Sequence, residues 1–155
     1  MANDDATTMN AQLRILIDRA EITQLCDRYI MHLDRDRGSG AWLGSVFTED
    51  AHVVFPSGEY NGIAELEKFQ QVAHNTFPRT HHLGSNYDIA VDGDQAHVRA
   101  HLMAVHVRQD PADHFTIGGH YEADAVRTPG GWRFSRFAAD MVWTAGEAPG
   151  GEGSG

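Results

Sequence analysis

The chain has a single cysteine, Cys26, among 155 residues. No internal disulfide can form, and Cys26 lies in an amphipathic helical pattern, where it reads as a packing residue. Positive charge is scarce: 12 Lys and Arg stand against 22 Asp and Glu, a formal net charge of −10. Nucleic acid and anionic membrane partners are therefore not expected, since both reward clustered cations. No apolar run approaches the roughly 20 residues that span a bilayer. The opening Met1-Ala2-Asn3-Asp4-Asp5 lacks the basic start of a secretory signal, so a cytoplasmic protein is expected. Internal repeats are absent. So are phosphate-cradling glycine loops and a G-x-S-x-G elbow, which leaves no support for a nucleotide cofactor or a serine nucleophile.

What is present fits one domain, and a chain of this length buries roughly 70% of its unfolded surface. Residues 1–8 are polar and read as a disordered start, 9–145 as the domain, and 146–155 as a disordered Gly/Glu/Pro-rich tail. From Met9 to Asp34, apolar residues recur at helical spacing through Leu13, Leu16/Ile17, Ala20, Leu25, Tyr29 and Leu33. That predicts one long amphipathic helix with one buried stripe, stopped at Gly38. A short helix opening at Ser39 carries Trp42, Leu43, Val46 and Phe47. After a turn at Thr48-Glu49-Asp50 comes a short strand, His52 to Phe55. A third helix follows Asn61-Gly62, over Ile63 to His74.

After Pro78 the pattern changes to period two. Strands are predicted at Thr80–Val91, Gln95–Arg108, His114–Arg127 and Trp132–Thr144. Breakers separate them at Asp92-Gly93-Asp94, Asp110-Pro111-Ala112-Asp113 and Thr128-Pro129-Gly130-Gly131. The order implies an α+β fold: a cone-shaped barrel with the long helix packed in a curved, mostly antiparallel sheet. The interior of such a cone is filled by side chains or by a ligand.

In the second long strand, Val98, Ala100, Leu102, Ala104 and His106 form the inward phase. His97, Arg99, His101 and Met103 form the outward one. The strand before it is ambiguous: Thr80, His82, Gly84 and Asn86 share one side, His81, Leu83, Tyr87 and Ile89 the other. Ten histidines raise the question of a metal. Their spacing does not favour one. His81 and His82 point to opposite faces, as do His101 and His106. His97 and His101 share a face but stand about 13 Å apart on a strand. No metal and no cofactor are expected, which leaves acid–base chemistry by His, Asp and Tyr.

Several phrases then carry a resemblance. They are Arg19-Ala20-Glu21-Ile22 and Leu33-Asp34-Arg35 in the first helix, Val46-Phe47-Thr48-Glu49-Asp50-Ala51, and Tyr121-Glu122 with Val126 through Ser135. Together with the element order they resemble the SnoaL-like, polyketide-cyclase-like branch of the nuclear-transport-factor-2-like superfamily, over residues 10–143. Within it the chain is similar to scytalone dehydratase, bile-acid 7α-dehydratase and hexachlorocyclohexane dehydrochlorinase. The fold hosts many chemistries, so function must be argued from the site.

The resemblance implies that Asp34 supports a catalytic His82, with Tyr29 and His106 as further catalytic residues. It places Tyr121 among pocket residues. Asn86, Phe55 and Trp42 complete the expected substrate-binding set, with Phe69, Phe115 and Trp143 as core or pocket wall. Where the dehydrochlorinase carries a catalytic arginine, this chain has Phe137, with Arg136 facing outward. That disfavours loss of chloride.

Taken singly, Asp34 is also compatible with a solvated charge, His82 with an ordinary strand histidine and Tyr29 with plain core. Taken together, they imply a cofactor-free dehydratase acting on a hydroxylated cyclic ketone, polyketide or steroid-like substrate. Tyr29 and Tyr121 would form an oxyanion hole, and His106 would protonate the departing hydroxyl. A cyclase or double-bond isomerase using the same pair is the alternative, and a non-catalytic binding module the third. Family resemblance further implies a homodimer or homotrimer pairing the outer sheet faces.

Overall fold

The computed structural model describes residues 2–110 and 113–148, so the expected tail from Pro149 on, and Pro111-Ala112 of one turn, lie outside the described residues. In chain order the elements are α1 (Ala2–Arg35), a single 3-10 turn (Leu43–Ser45), β1 (Phe47–Phe55), β2 (Gly58–Asn61), α2 (Ile63–Thr76), β3 (Arg79–Asp92), β4 (Gln95–Val107), β5 (Phe115–Thr128) and β6 (Gly131–Ala145). The six strands form one unclosed sheet in the order β2-β1-β6-β5-β4-β3. All neighbours are antiparallel except β1 and β6. The α+β class and the mostly antiparallel sheet are as the sequence implies. No helix among the described residues is long and apolar enough to cross a membrane.

Two elements differ from expectation near the middle of the chain. The helix expected from Ser39 is only the 3-10 turn, because Trp42 and Leu43 bury against the core and Val46 already feeds the sheet. Thr48-Glu49-Asp50, expected as a turn, lies inside β1. Val46 O accepts from Phe134 N at 2.8 Å, which starts the β1–β6 pairing early. Strand β2 was hidden in the sequence because four residues are too few to show alternation.

The first helix corrects the expectation most. It starts at Ala2 rather than Met9, and its stripe divides in two. Leu13, Leu16, Ile17 and Ala20, expected to be buried, are exposed. Burial starts at Asp18 and continues through Ile22, Leu25, Cys26, Tyr29 and Ile30, on the other side of the helix. The cause is geometric: only the C-terminal half of α1 reaches the sheet. Arg127 marks the meeting point. It donates to the buried Asp18 at 2.9 Å and to Asp94 at 2.8 Å, and its guanidinium lies 4.6 Å from the Trp132 ring centroid.

Bulges decide which side chains face inward. In β3, Ser85 pairs with His101 and Asp88 with Arg99, so two residues oppose Ala100 alone. Asn86 takes up the extra residue at φ 56°, in the left-handed region that Asn tolerates better than most side chains. Before the bulge Thr80, His82 and Gly84 are the half-buried residues. After it the inward residues are Tyr87, Ile89 and Val91, with Ile89 buried. Each half of the ambiguous strand therefore follows a different phase. In β6 the extra residue is Ser135, which brings Phe134 and Phe137 to the same side three residues apart. A third shift lies opposite Gly118 and Gly119.

The cone interior is occupied by rings. Phe137 is fully buried, with ring centroids of Tyr121 at 4.6 Å, Tyr29 at 5.0 Å, Phe134 at 5.8 Å, and Phe47 and Phe55 at 6.1 Å. Of the two fillings the sequence left open for this centre, side chains or a ligand, the rings supply the first.

Candidate active site

Helix α1 and edge strand β3 meet at its C-terminal end. Leu33, packed on the core, anchors the last turn there and turns Asp34 toward the strand. His82 lies on the half-buried phase of β3, before the bulge. Its ring Nδ1 is 2.7 Å from Asp34 Oδ1, and its main-chain N–H donates to Asp34 Oδ2 at 2.9 Å. Thr80, two residues earlier on the same side, donates its hydroxyl proton to Asp34 Oδ1 at 2.9 Å.

A carboxylate with three donors around it accepts and does not donate, so His82 carries its proton on Nδ1. Nε2 is then the free base. Burial alone would push the Asp34 carboxyl up. The His82 ring and main chain and the Thr80 hydroxyl more than offset this, so Asp34 is held below the ordinary range and stays ionised. His82 has a side chain only 9% exposed and Asp34 one 24% exposed, so the pair is half-sheltered and still reachable.

Arg37, just past the helix end, organises the surroundings. It donates to Thr80 Oγ1 at 2.7 Å and to the Phe77 and Ala73 carbonyls at 2.6 and 3.3 Å. It thereby ties the C-terminus of α2 to the start of β3 and satisfies carbonyls that a helix end leaves open. Because Thr80 Oγ1 accepts from Arg37, its own proton is free for Asp34. Sequence reasoning missed both residues. Thr80 shares a strand face with His82, which is the one signal that pointed to it.

His106 stands beside the pair, its ring centroid 5.6 Å from that of His82. Its Nδ1–H donates to the Phe115 carbonyl at 3.2 Å. Burial, with the His82 charge next, pushes its pKa down to about 4. At neutral pH His106 is an uncharged ring whose Nε2 accepts a hydrogen bond. The expected role of proton donor to a leaving hydroxyl does not fit this state. Phe77 and Phe115 flank it, at 4.8 and 5.6 Å.

The remaining predicted residues are not brought to this cluster. Tyr29 and Tyr121 pack within the aromatic core, 6.5 Å apart. Burial raises the pKa of both, so both remain protonated. The Tyr121 hydroxyl is buried, with the Cys26 thiol as its polar neighbour. Tyr121 pairs with Ala100 while His82 pairs with Ala104. Four residues of β4 separate those levels, about 13 Å of strand. Phe55 stacks on Phe69 at 4.9 Å, on β1, four strands away from β3 in the sheet order. Asn86 is exposed at the bulge rather than turned into a pocket.

Trp42 is buried and stacks on His32 at 5.1 Å, an interplanar angle of 15°. His32 in turn pairs with Asp36 at 2.6 Å. That second His–Asp pair, at i and i+4, was legible in the sequence and was not singled out. Arg136 is exposed and Phe137 buried, as expected.

Comparison with known proteins agrees with the fold. Residues 14–138 match the SnoaL-like domain, and the chain belongs to that family. An uncharacterized protein of Mycobacterium tuberculosis is 35% identical over 125 residues, covering 77% of this chain and 82% of the relative. A protein of Kribbella flavida superposes with a TM-score of 0.77 at 26% identity, over 84% of this chain and 95% of that one. A candidate scytalone dehydratase of Novosphingobium aromaticivorans gives 0.77 at 25%, over 86% and 89%. A hexachlorocyclohexane dehydrochlorinase gives 0.77 at 22% over 90% and 99%, a likeness of fold alone.

Proposed function

We propose that this protein is a cofactor-free lyase that dehydrates a hydroxylated cyclic ketone, polyketide or steroid-like small molecule. The observation that carries this is the Asp34–His82 pair, which presents His82 Nε2 as a base beside a carboxylate that can stabilise the imidazolium. Nε2 removes the proton next to the substrate carbonyl, giving an enolate and a protonated His82. The enolate electrons reform the carbonyl as the C–O bond to the β-hydroxyl breaks. His82 returns its proton to that oxygen, releasing water and an enone. Neutral His106 accepts a hydrogen bond from the substrate hydroxyl and aims it. The candidate scytalone dehydratase of similar fold supports an elimination.

One observation favours a second reading. Neutral His106 has its one ring proton committed to the Phe115 carbonyl, so His82 is the proton carrier, and returning the proton to carbon makes the same pair a double-bond isomerase or cyclase. The outer sheet face, where Leu83, Met103 and Trp143 border a hollow of about 310 Å³, suits the homo-oligomer that the resemblance implies.

The test is a panel of β-hydroxy cyclic ketones, followed by enone absorbance and by product mass. Loss of 18 mass units with the wild type, abolished in His82→Ala, is expected on the mass of water. A product of unchanged mass makes the protein an isomerase or cyclase. Equal turnover in folded His82→Ala overturns both readings, whereas no turnover by the wild type on any member of the panel leaves a binding module.

A further inference from the structure

The N-terminal half of α1 is exposed on every side. Residues 3–17 are all exposed, and Asp18 is the first buried position. Over this span the helix projects as an arm about 22 Å long. Met9, Leu13, Leu16 and Ile17 are 61%, 49%, 62% and 53% exposed. A solvated helix does not need four large apolar side chains on one side.

Their spacing is informative. Ala6, Met9, Leu13, Leu16 and Ala20 follow one another at alternating intervals of three and four, which is the a/d seam of a coiled coil. Ile17 borders the seam at an e position. About half a turn round the helix lie Ile22, Leu25, Cys26 and Tyr29, the residues that face this chain's own sheet. The seam therefore points away from the body and ends at Ala20, where docking begins. Nothing in this chain's described residues covers it.

Charge selects the occupant. Asp5 and Arg19 both fall at g positions, and g faces g in an antiparallel pair. Antiparallel packing of two copies sets Ala6 against Leu16 and Met9 against Leu13 of the partner. Asp5 of each copy then meets Arg19 of the other, twice by symmetry. Among the described residues Asp5 has no ion-pair or hydrogen-bond partner. Arg19 donates one Nη1 bond to the Ile89 carbonyl and has further N–H groups to offer. A parallel pair would set Asp5 against Asn10 and Arg19 against Gln24, with no charge pairing.

We propose that the α1 arm is a self-association surface on which two copies pair antiparallel along Ala6–Ala20. The pairing is isologous and closes on itself. It is independent of the chemistry proposed above and of any contact through the outer sheet face, from which it is spatially separate.

The experiment is sedimentation of the full chain, wild type against Leu13→Glu/Leu16→Glu, with circular dichroism to establish that the variant is folded. Both positions are exposed, so folding does not depend on them. The expected result is a folded variant with at most half the wild-type mass. A wild type that sediments as a monomer, or a variant of unchanged mass, overturns the proposal. Orientation is read separately by oxidising cysteine variants, since Cys26 is buried and does not interfere. A mixture of Met9→Cys and Leu13→Cys chains should form the mixed disulfide, with little in either variant alone. Efficient self-crosslinking of Met9→Cys alone would instead show a parallel pair and overturn the antiparallel assignment.

Discussion

His82 and Asp34 are joined at two points, the ring Nδ1–H at 2.7 Å and the main-chain N–H at 2.9 Å, each to a different carboxylate oxygen. The double attachment fixes both where the imidazole sits and which nitrogen holds its proton. Asp34→Asn breaks this. Its amide has only one acceptor oxygen, so one His82 donor must face an NH₂ group. The imidazole should lose its single tautomer, seen as mixed Nδ1–H and Nε2–H signals in ¹⁵N spectra. Turnover should fall by about 10²-fold or more, the scale of losing a positioned general base. A single unchanged tautomer in the variant would contradict this arrangement.

Thr80 links Arg37 to Asp34, and its substitution separates hydroxyl from shape. Thr80→Val should cost about 1–3 kcal/mol in chemical denaturation, because Arg37 Nη1 and Asp34 Oδ1 each lose a partner in a half-buried site. Thr80→Ser should recover most of it. Equal stabilities for Val and Ser would mean that packing, not the hydrogen bonds, holds the strand start.

The pH dependence of stability follows from His106. Its folded pKa, about 4, lies below the ordinary 6.5, so the folded state binds fewer protons than the unfolded chain between these values. Stability is fully present above pH 6.5 and declines as pH falls from 6.5 toward 4. Asp34 is also depressed, but its contribution is lost only below about pH 3.8. The urea midpoint of the wild type should therefore fall between pH 7 and 4.5, and His106→Gln should flatten that decline. An equally steep decline in the variant would assign it to other groups.

Phe137 is the hub of the interior rings. Phe137→Ala should destabilise the fold by about 3–5 kcal/mol, the usual range for a buried phenylalanine. Phe137→Leu should cost less. A cost under 1 kcal/mol for alanine would mean that the interior collapses around the gap.

At Asn86 the left-handed backbone predicts opposite signs for two substitutions. Asn86→Gly should be neutral or slightly stabilising, and Asn86→Ala should cost about 1 kcal/mol by thermal denaturation.

Much of this was legible in the sequence, unevenly. Strand β4 alternates without a bulge, so its facing could be read directly from Val98 to His106. Strand β3 could not be read, since one extra residue at Asn86 exchanges its faces midway. Asp34 and His82 were found through resemblance, because they lie 48 positions apart and only the helix-to-strand packing joins them. His106 lies beside His82, and its neutral state does not suit the proton-donor role expected of it. Its burial and its bond to the Phe115 carbonyl set its protonation, and neither is written in local sequence. The helix stripe failed for a related reason: periodicity shows that a face is apolar, not what covers it.

The central claim is that His82 Nε2 removes a proton next to a carbonyl. Its most direct test is deuterium exchange at the α-carbon of a cyclic ketone in D₂O, followed by proton NMR with wild type and folded His82→Ala. The account predicts exchange or dehydration with the wild type and at least a ~10²-fold slower rate without His82. Equal rates in the two proteins would contradict it.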